Sequence, residues 1–423
     1  MLDSDARGPF IFLRLQLAEK KVLEAGASLG VYHGLHVSAL LPSSVDRLVR
    51  DLGKPFVLDP MSYLLALPRR RLLDETLEKL KPSIRALSER HAPRVREILT
   101  QRSLEPSDLI EPPSLVREIA QNVLDYQRTR FLGQPRLFNV YYDRYALWDD
   151  EEMPEPVPSS MAPAVVIPPY FYFKRAGDPW YELSLEFAEE SLELRQAGES
   201  VWPVLLMPSR SLANSDEIAS IVGDYGSGKF DGVFIWINNF SEEREHSVKK
   251  HEGLVSLVKQ LATAGKPVFK LFGGYFSALL YPSGLLGFSC GLGYGSSKNA
   301  FAYGRGGGPF QPNYYIPRLH RAVPLNTAEE LLRAYPSLRC SCKICVRTFG
   351  TNMDRFGQMR KHGLCQSHFL NARHQELKRV SEHRMEELMA ELEDTTPEFS
   401  SSDMIDTGHL EVWKRVLKEQ PAA

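Results

Sequence analysis

The sequence predicts an α/β fold, a (β/α)8 TIM-like barrel with a zinc-binding helical subdomain near its C-terminal end. Two patterns point to the barrel and one cluster points to the metal. Short runs rich in Val, Ile, Leu and Phe recur along the chain, bounded by Pro, Gly or Asp. Helical spacings of apolar residues fill the intervals between them. Runs of this kind suit buried parallel strands, which are covered on both faces, and their alternation with helices builds parallel α/β architectures. A doubly wound open sheet shares the same alternation and stands as the alternative. The cluster is three cysteines within residues 340–345.

Strands are expected at Phe10–Leu17 and Gly30–Leu41, one of which opens the core. Further strands are expected at Pro55–Asp59, Ala164–Phe173, Trp202–Met207, Gly232–Asn238, Pro267–Gly273, Leu285–Cys290 and Tyr314–Leu319. Helices are expected over Leu72–Leu99, divided by Pro82 and Pro93 because proline removes a helical donor. Others are expected over Ser114–Tyr126, Trp180–Ala197, Asp216–Val222 and Ser241–Ala264. The organisation that follows is a barrel over 1–330 with a helical insertion over about 66–160, a zinc-binding element over 331–375, and a helical tail over 376–423. The tail reads as a charged helix, Glu376–Glu393, a break, and a closing helix near His409–Glu419. The acidic, proline-rich stretch Asp149–Ala162 reads as a loop.

With 43% hydrophobic and 25% charged residues, the 423-residue chain can bury a substantial core. Its net charge of −2 argues against a polyanion binder over the whole surface and leaves a local basic face open. No apolar run approaches a membrane span, and the acidic N-terminal stretch, broken by Arg14, does not resemble a signal peptide. A cytoplasmic location is expected. The five cysteines fit it, since three of them crowd together as metal ligands do.

Cys340, Cys342 and Cys345 bring three sulfurs to one short turn, and His362, Cys365, His368 and His374 follow. Such a donor set suits a tetrahedral structural Zn2+. His368 is the expected fourth ligand, with Cys365 and His362 as substitutes. Other motifs carry less. Gly223–Phe230 imitates a phosphate-binding loop but has Phe230 where a hydroxyl is required, and it lies between a helix and a strand in the wrong order. Gly291–Gly295 and Gly304–Gly308, with Lys298 and Arg305, offer amides and cations for a phosphate, or form a plain surface loop. Asp59, at the end of a strand, is placed for acid/base or nucleophilic work, or as a cap for the next segment. Asp125 and the pair Asn238–Asn239 are weaker sites of that kind. Arg69–Arg71 and the cluster Lys249, Lys250 and His251 read as solvated helix faces. Arg339, Lys343, Arg347, Arg360 and Lys361 make a basic zone suited to phosphates.

The C-x-C-x2-C run followed by a helical His resembles the zinc site of the tRNA-guanine transglycosylases. Upstream, K-P-V-F-K-L-F-G-G (266–274) and G-L-L-G-F-S-C-G-L-G-Y-G (284–295) match that family's late strands in order, and K-P-F-V-L-D-P-M-S (54–62) resembles its strand bearing the acid/base Asp. The motif-level likeness covers about residues 265–375 and 50–65. These enzymes are (β/α)8 barrels that exchange guanine for a deazaguanine in RNA through a covalent Asp–ribose intermediate, and relatives modify DNA.

The resemblance implies Asp59 as acid/base. The family's nucleophilic carboxylate is replaced here by Ser289, within Phe288–Ser289–Cys290. The base pocket is altered too. Pro169–Tyr170–Phe171 stands where a carboxylate meets the base edge, and Trp236–Ile237–Asn238–Asn239 stands at the glycine-rich turn. The implied site comprises Asp59 and Ser289 for chemistry, Tyr170 and Phe171 for stacking a base, and Asn238, Asn239, Lys270, Gly273 and Gly274 for substrate. A flipped or single-stranded base is required. Implied partners are tRNA or DNA, a deazaguanine-type base, and a second subunit, identical or different, docked through the zinc region. Two other classes are compatible: an inactive paralogue serving as a nucleic-acid-binding or partner subunit, and a small-molecule barrel enzyme with structural zinc.

Overall fold

The computed structural model describes residues 8–15, 20–131, 162–292, 296–302, 312–361, 363–399 and 405–418. Seven parallel strands form one sheet: β1 (Phe10–Arg14), β2 (Gly34–Ser38), β3 (Phe56–Asp59), β4 (Val204–Pro208), β5 (Val233–Asn238), β6 (Val268–Lys270) and β7 (Leu285–Cys290). Their spatial order is β3-β2-β1-β7-β6-β5-β4, so the first and last strands in sequence are neighbours. The sheet curls into a half-barrel. Both early strand candidates belong to it, where a single one was expected.

Alternation explains the two faces. Ile11, Leu13, Leu35, Val37, Leu205, Met207, Val233 and Ile235 point to the helices and join the main core. Phe12, Val57, Leu206, Phe234, Trp236 and Phe269 point inward and form a second core. Period two is what assigns each strand residue to one face. Burial of each such side chain contributes roughly 1.5–3 kcal/mol.

The expected strand Ala164–Phe173 is not a regular strand. Pro168 and Pro169 lack the N–H groups that a ladder needs, and only isolated parallel bridges remain, Val166 with Val201 and Tyr172 with Leu206. The segment nevertheless touches both ends of the sheet: Ala164 N donates to Phe56 O at 2.7 Å, and Phe173 N to Leu206 O at 3.4 Å. Tyr314–Leu319 differs as well. Asn313–Ile316 is β8 and pairs antiparallel with β9 (Arg321–Pro324), apart from the parallel sheet.

The prolines divide the early helical region as expected, giving helices Pro82–His91 and Pro93–Gln101. Helices Pro179–Glu193, Ser215–Tyr225 and Val248–Thr263 are capped by Asp178, Asn214 and Ser247, whose side chains accept first-turn N–H groups. The tail is divided earlier than expected: Leu364–Glu382 and Met385–Phe399 are separate helices. His251 lies on no solvated face. Its ring is buried against Phe240 and Phe276, with Nδ1 3.0 Å from Ser247 O. Among the described residues, no helix is long and apolar enough to cross a membrane. Asp149–Met161, most of the two glycine clusters, Arg305 and His362 lie outside the described residues.

Candidate metal centre and strand-end site

The cysteine cluster sits where three pieces of chain meet. Cys340 and Cys342 lie in the turn before the short helix Lys343–Thr348, Cys345 is in that helix, and His368 is on Leu364–Glu382. The four ligand atoms lie within 4.8 Å of one another. Atoms bonded to one tetrahedral zinc at about 2.3 Å would stand about 3.8 Å apart, so the quartet needs only slight contraction. His368 Nδ1 is 3.4 Å from both Cys342 Sγ and Cys345 Sγ.

The surroundings settle which nitrogen faces the sulfurs. His368 Nε2 lies 2.7 Å from Tyr315 O, which accepts its proton and leaves the Nδ1 lone pair to the cysteines. The ring stacks on Tyr314 at 4.3 Å, and the Tyr314 hydroxyl lies 3.1 Å from Cys345 Sγ. Hairpin β8–β9 therefore supplies the outer shell of the cluster. Burial disfavours charge on His368, but hydrogen bonds to Cys340 and Cys342 outweigh it and hold its pKa up at about 10. Hydrogen bonds from Cys342, Cys345 and His368 hold the Cys340 thiol well below its ordinary pKa, and a thiolate there calls for a cation, a proton on His368 or a metal. The four residues form a potential metal site whose donors suit zinc. Cys365 faces elsewhere: its Sγ donates to Met359 O, and burial pushes its thiol up to about 12.

A second polar group lies at the C-terminal ends of the strands. Asp59 Oδ1 accepts from the Tyr170 hydroxyl at 2.7 Å and from Met61 N at 2.9 Å. Its Oδ2 has no hydrogen-bond partner and lies 3.5 Å from His36 Nε2 on β2. His36 Nδ1 lies 3.0 Å from Ser289 Oγ on β7. The Asp59 carboxylate facing Nε2 favours the imidazole proton on that nitrogen, which leaves Nδ1 to accept from the Ser289 hydroxyl, whose oxygen also accepts Phe272 N–H at 3.2 Å. All three residues are at most 4% exposed. Burial pulls the His36 pKa down against the pull of Asp59. For Asp59, burial favours the acid, yet His36, Lys298 and Tyr170 together bring the pKa below its ordinary value.

Lys298 covers this group. Its ammonium lies 5.0 Å from the Trp236 ring centroid, 5.2 Å from Phe272 and 5.6 Å from Tyr63. Desolvation and Arg14 push its pKa down to about 7, against Asp59. The segment is tied to β5: Asn239 N donates to Lys298 O at 3.0 Å, and Ala300 N to Asn238 Oδ1 at 2.7 Å. Met61, Asn239 and Phe272, which follow β3, β5 and β6, have φ of 58°, 56° and 61°. Positive φ is unfavourable for Met and Phe, and such strain gathers at functional sites.

No family model matches the chain, and no curated protein does.

The structure brings Asp59, Ser289 and Tyr170 together, with Asn238 and Asn239 holding Lys298 over them. Phe171 belongs to another neighbourhood, packed on Trp180 and Phe187. Lys270 pairs with buried Glu242 at 2.8 Å, and Gly274 N donates to the same carboxylate at 2.9 Å. Gly273 N donates to Ser289 O, and a Cβ there would meet Ser277 Oγ at 2.6 Å. Asp125 pairs with Arg128. Sequence reasoning missed His36, Glu242 and Tyr315. For His36 one signal existed, an imidazole at an inward position of an otherwise apolar strand.

Proposed function

We propose that this chain is a transglycosylase-like zinc protein that acts on a purine or deazapurine base in tRNA or DNA, with Ser289 where the resembled family has its nucleophilic Asp. The Cys340, Cys342, Cys345 and His368 quartet carries the reading, because it is the specific part of the resemblance and its donor geometry suits Zn2+. Bound zinc would be structural, fixing hairpin β8–β9 and helix Leu364–Glu382 together. In the same reading the segment 164–173 closes a (β/α)8 ring between β3 and β4, supported by its bonds to Phe56 and Leu206.

The strand ends support a catalytic role. Asp59 keeps a buried carboxylate oxygen whose nearest donor, His36 Nε2, stands off at 3.5 Å, and a weakly satisfied buried acceptor gains from a closer partner. A base N–H or a ribose hydroxyl is a donor of the required kind. Asp59 acts as acid/base, Tyr170 holds its other oxygen, and His36 links it to Ser289. Lys298 withdraws to admit the base.

Purified protein incubated with labelled deazaguanine and either tRNA or DNA is expected to incorporate label, and Asp59→Ala to lose it. Incorporation that survives Asp59→Ala removes the assignment of Asp59. The burial of Asp59, His36 and Ser289 favours one second reading, an inactive paralogue acting as a nucleic-acid-binding or partner subunit, with the zinc region as its interface. Absence of incorporation into both polymers selects it.

A further inference from the structure

Beside the strand-end group lies a cavity that none of these roles uses. Cys290, the neighbour of Ser289, points to the opposite face of β7 and lines it, together with Glu243, Arg244, Ser296, Ser297 and Arg373. Its volume is about 160 Å3, enough for several waters. A phosphate group fits such a space.

The decisive side chain is Arg373, on the helix that carries His368. It is 2% exposed, and its Nε and Nη1 have no hydrogen-bond partner. Its guanidinium stacks near Tyr315 and Phe369, at 5.1 and 5.3 Å from the ring centroids, which fixes it in place. Nη1 lies 2.9 Å from Glu376 Oε2, but that contact lacks hydrogen-bond geometry. Glu376 is engaged elsewhere, through Oε1, by the Tyr315 hydroxyl and His320 Nδ1, both at 2.7 Å. A buried guanidinium with unmet donors is expensive, and it matches the fork geometry of an oxyanion.

The rest of the lining agrees. Arg244 adds a second, exposed guanidinium, and Ser296 and Ser297 add hydroxyls. Glu243 is the opposing charge. Burial raises its pKa to about 7 against Arg373 and Arg321, so near neutral pH much of it is a neutral donor.

We propose that this cavity is a phosphate-binding subsite, built on Arg373 and Arg244, for a phosphate monoester or diester. The site stands on its own residues. Only the source of the phosphate, a nucleic-acid backbone or a free nucleotide, connects it with the proposed function.

The test is titration of inorganic phosphate into the full chain at low ionic strength, with chloride as control. Saturable binding is expected, weakened about tenfold by Arg244→Ala and by Arg373→Lys, as loss of one charge-assisted pair predicts. Arg244 is exposed, so its variant keeps the test valid if Arg373→Lys does not fold. Absence of saturable binding, or Arg244→Ala binding like the parent, overturns the site. Competition by a single-stranded oligonucleotide supports the site and assigns it to a polymer backbone. Competition by a nucleoside monophosphate alone supports it and assigns it to a free nucleotide. Phosphate binding without base incorporation leaves the subsite standing and removes only the transglycosylase reading.

Discussion

Ser289 Oγ and His36 Nδ1 stand 3.0 Å apart across β1, joining β7 to β2 on the inner face of the sheet. The serine hydroxyl is the donor in this pair, because the Asp59 carboxylate facing Nε2 keeps the imidazole proton on that side. The hydroxyl thereby satisfies the ring nitrogen that this tautomer leaves as an acceptor.

Ser289→Ala removes that donor and leaves two buried groups, His36 Nδ1 and Phe272 N–H, without their partner. A loss of about 1–3 kcal/mol is expected, measured by chemical denaturation. Ser289→Cys keeps a weak donor and is expected to fall between the two. Alanine and parent unfolding at the same denaturant concentration would contradict the hydrogen-bond assignment.

Lys298→Met is expected to raise stability at neutral pH by about 1–2 kcal/mol, since it removes a desolvated cation while keeping contact with three rings. The sign follows from a folded pKa near 7, below the unfolded value of 10.5. Between those limits the unfolded chain holds a proton that the folded chain has lost, so Lys298 costs stability below pH 10.5. The advantage of the variant should therefore shrink as pH rises toward 10.5. Thermal unfolding from pH 7 to 10.5 checks it, and a constant difference across that range would argue against a depressed Lys298.

His91 sets an acid limit. It is buried, receives the Ser62 hydroxyl at Nε2 at 2.7 Å, and lies 2.9 Å from Leu87 O through Nδ1. Burial holds its pKa down to about 4, from 6.5, against the bond to Leu87. Its stabilising contribution is complete above pH 6.5 and is lost as pH falls toward 4, because only the unfolded chain takes up the proton in between. The loss is roughly 3 kcal/mol at most. His91→Gln is expected to flatten the stability profile over that window; an unchanged slope would exclude His91 as its source.

The cysteine spacing and the choice of His368 were legible because metal chemistry restricts both residue type and interval. The parallel sheet was legible because strands buried on both faces read as apolar runs. The irregular path of Ala164–Phe173 had its cause in view, Pro168 and Pro169, but apolar composition dominated the reading. Tyr314–Leu319 was misplaced for a different reason. A strand buried against the cysteine cluster carries the same Tyr and Ile as one buried in a sheet, and its partner β9 is marked by no period. His36 and Ser289 are 253 positions apart, and only the fold brings them together. The strain at Met61 and Phe272 left no sequence signal, since neither residue type favours positive φ. Arg373 left no signal in the sequence, because helical spacing alone does not show that its face is buried.

A metal held by Cys340, Cys342, Cys345 and His368 is the feature on which the proposed function most depends. Elemental analysis of tag-free protein purified without added metal tests it directly. One zinc per chain is predicted, lost together with a clear drop in unfolding temperature when Cys345→Ser is combined with His368→Ala. Absence of any stoichiometric transition metal, or a double variant that melts with the parent, would contradict it.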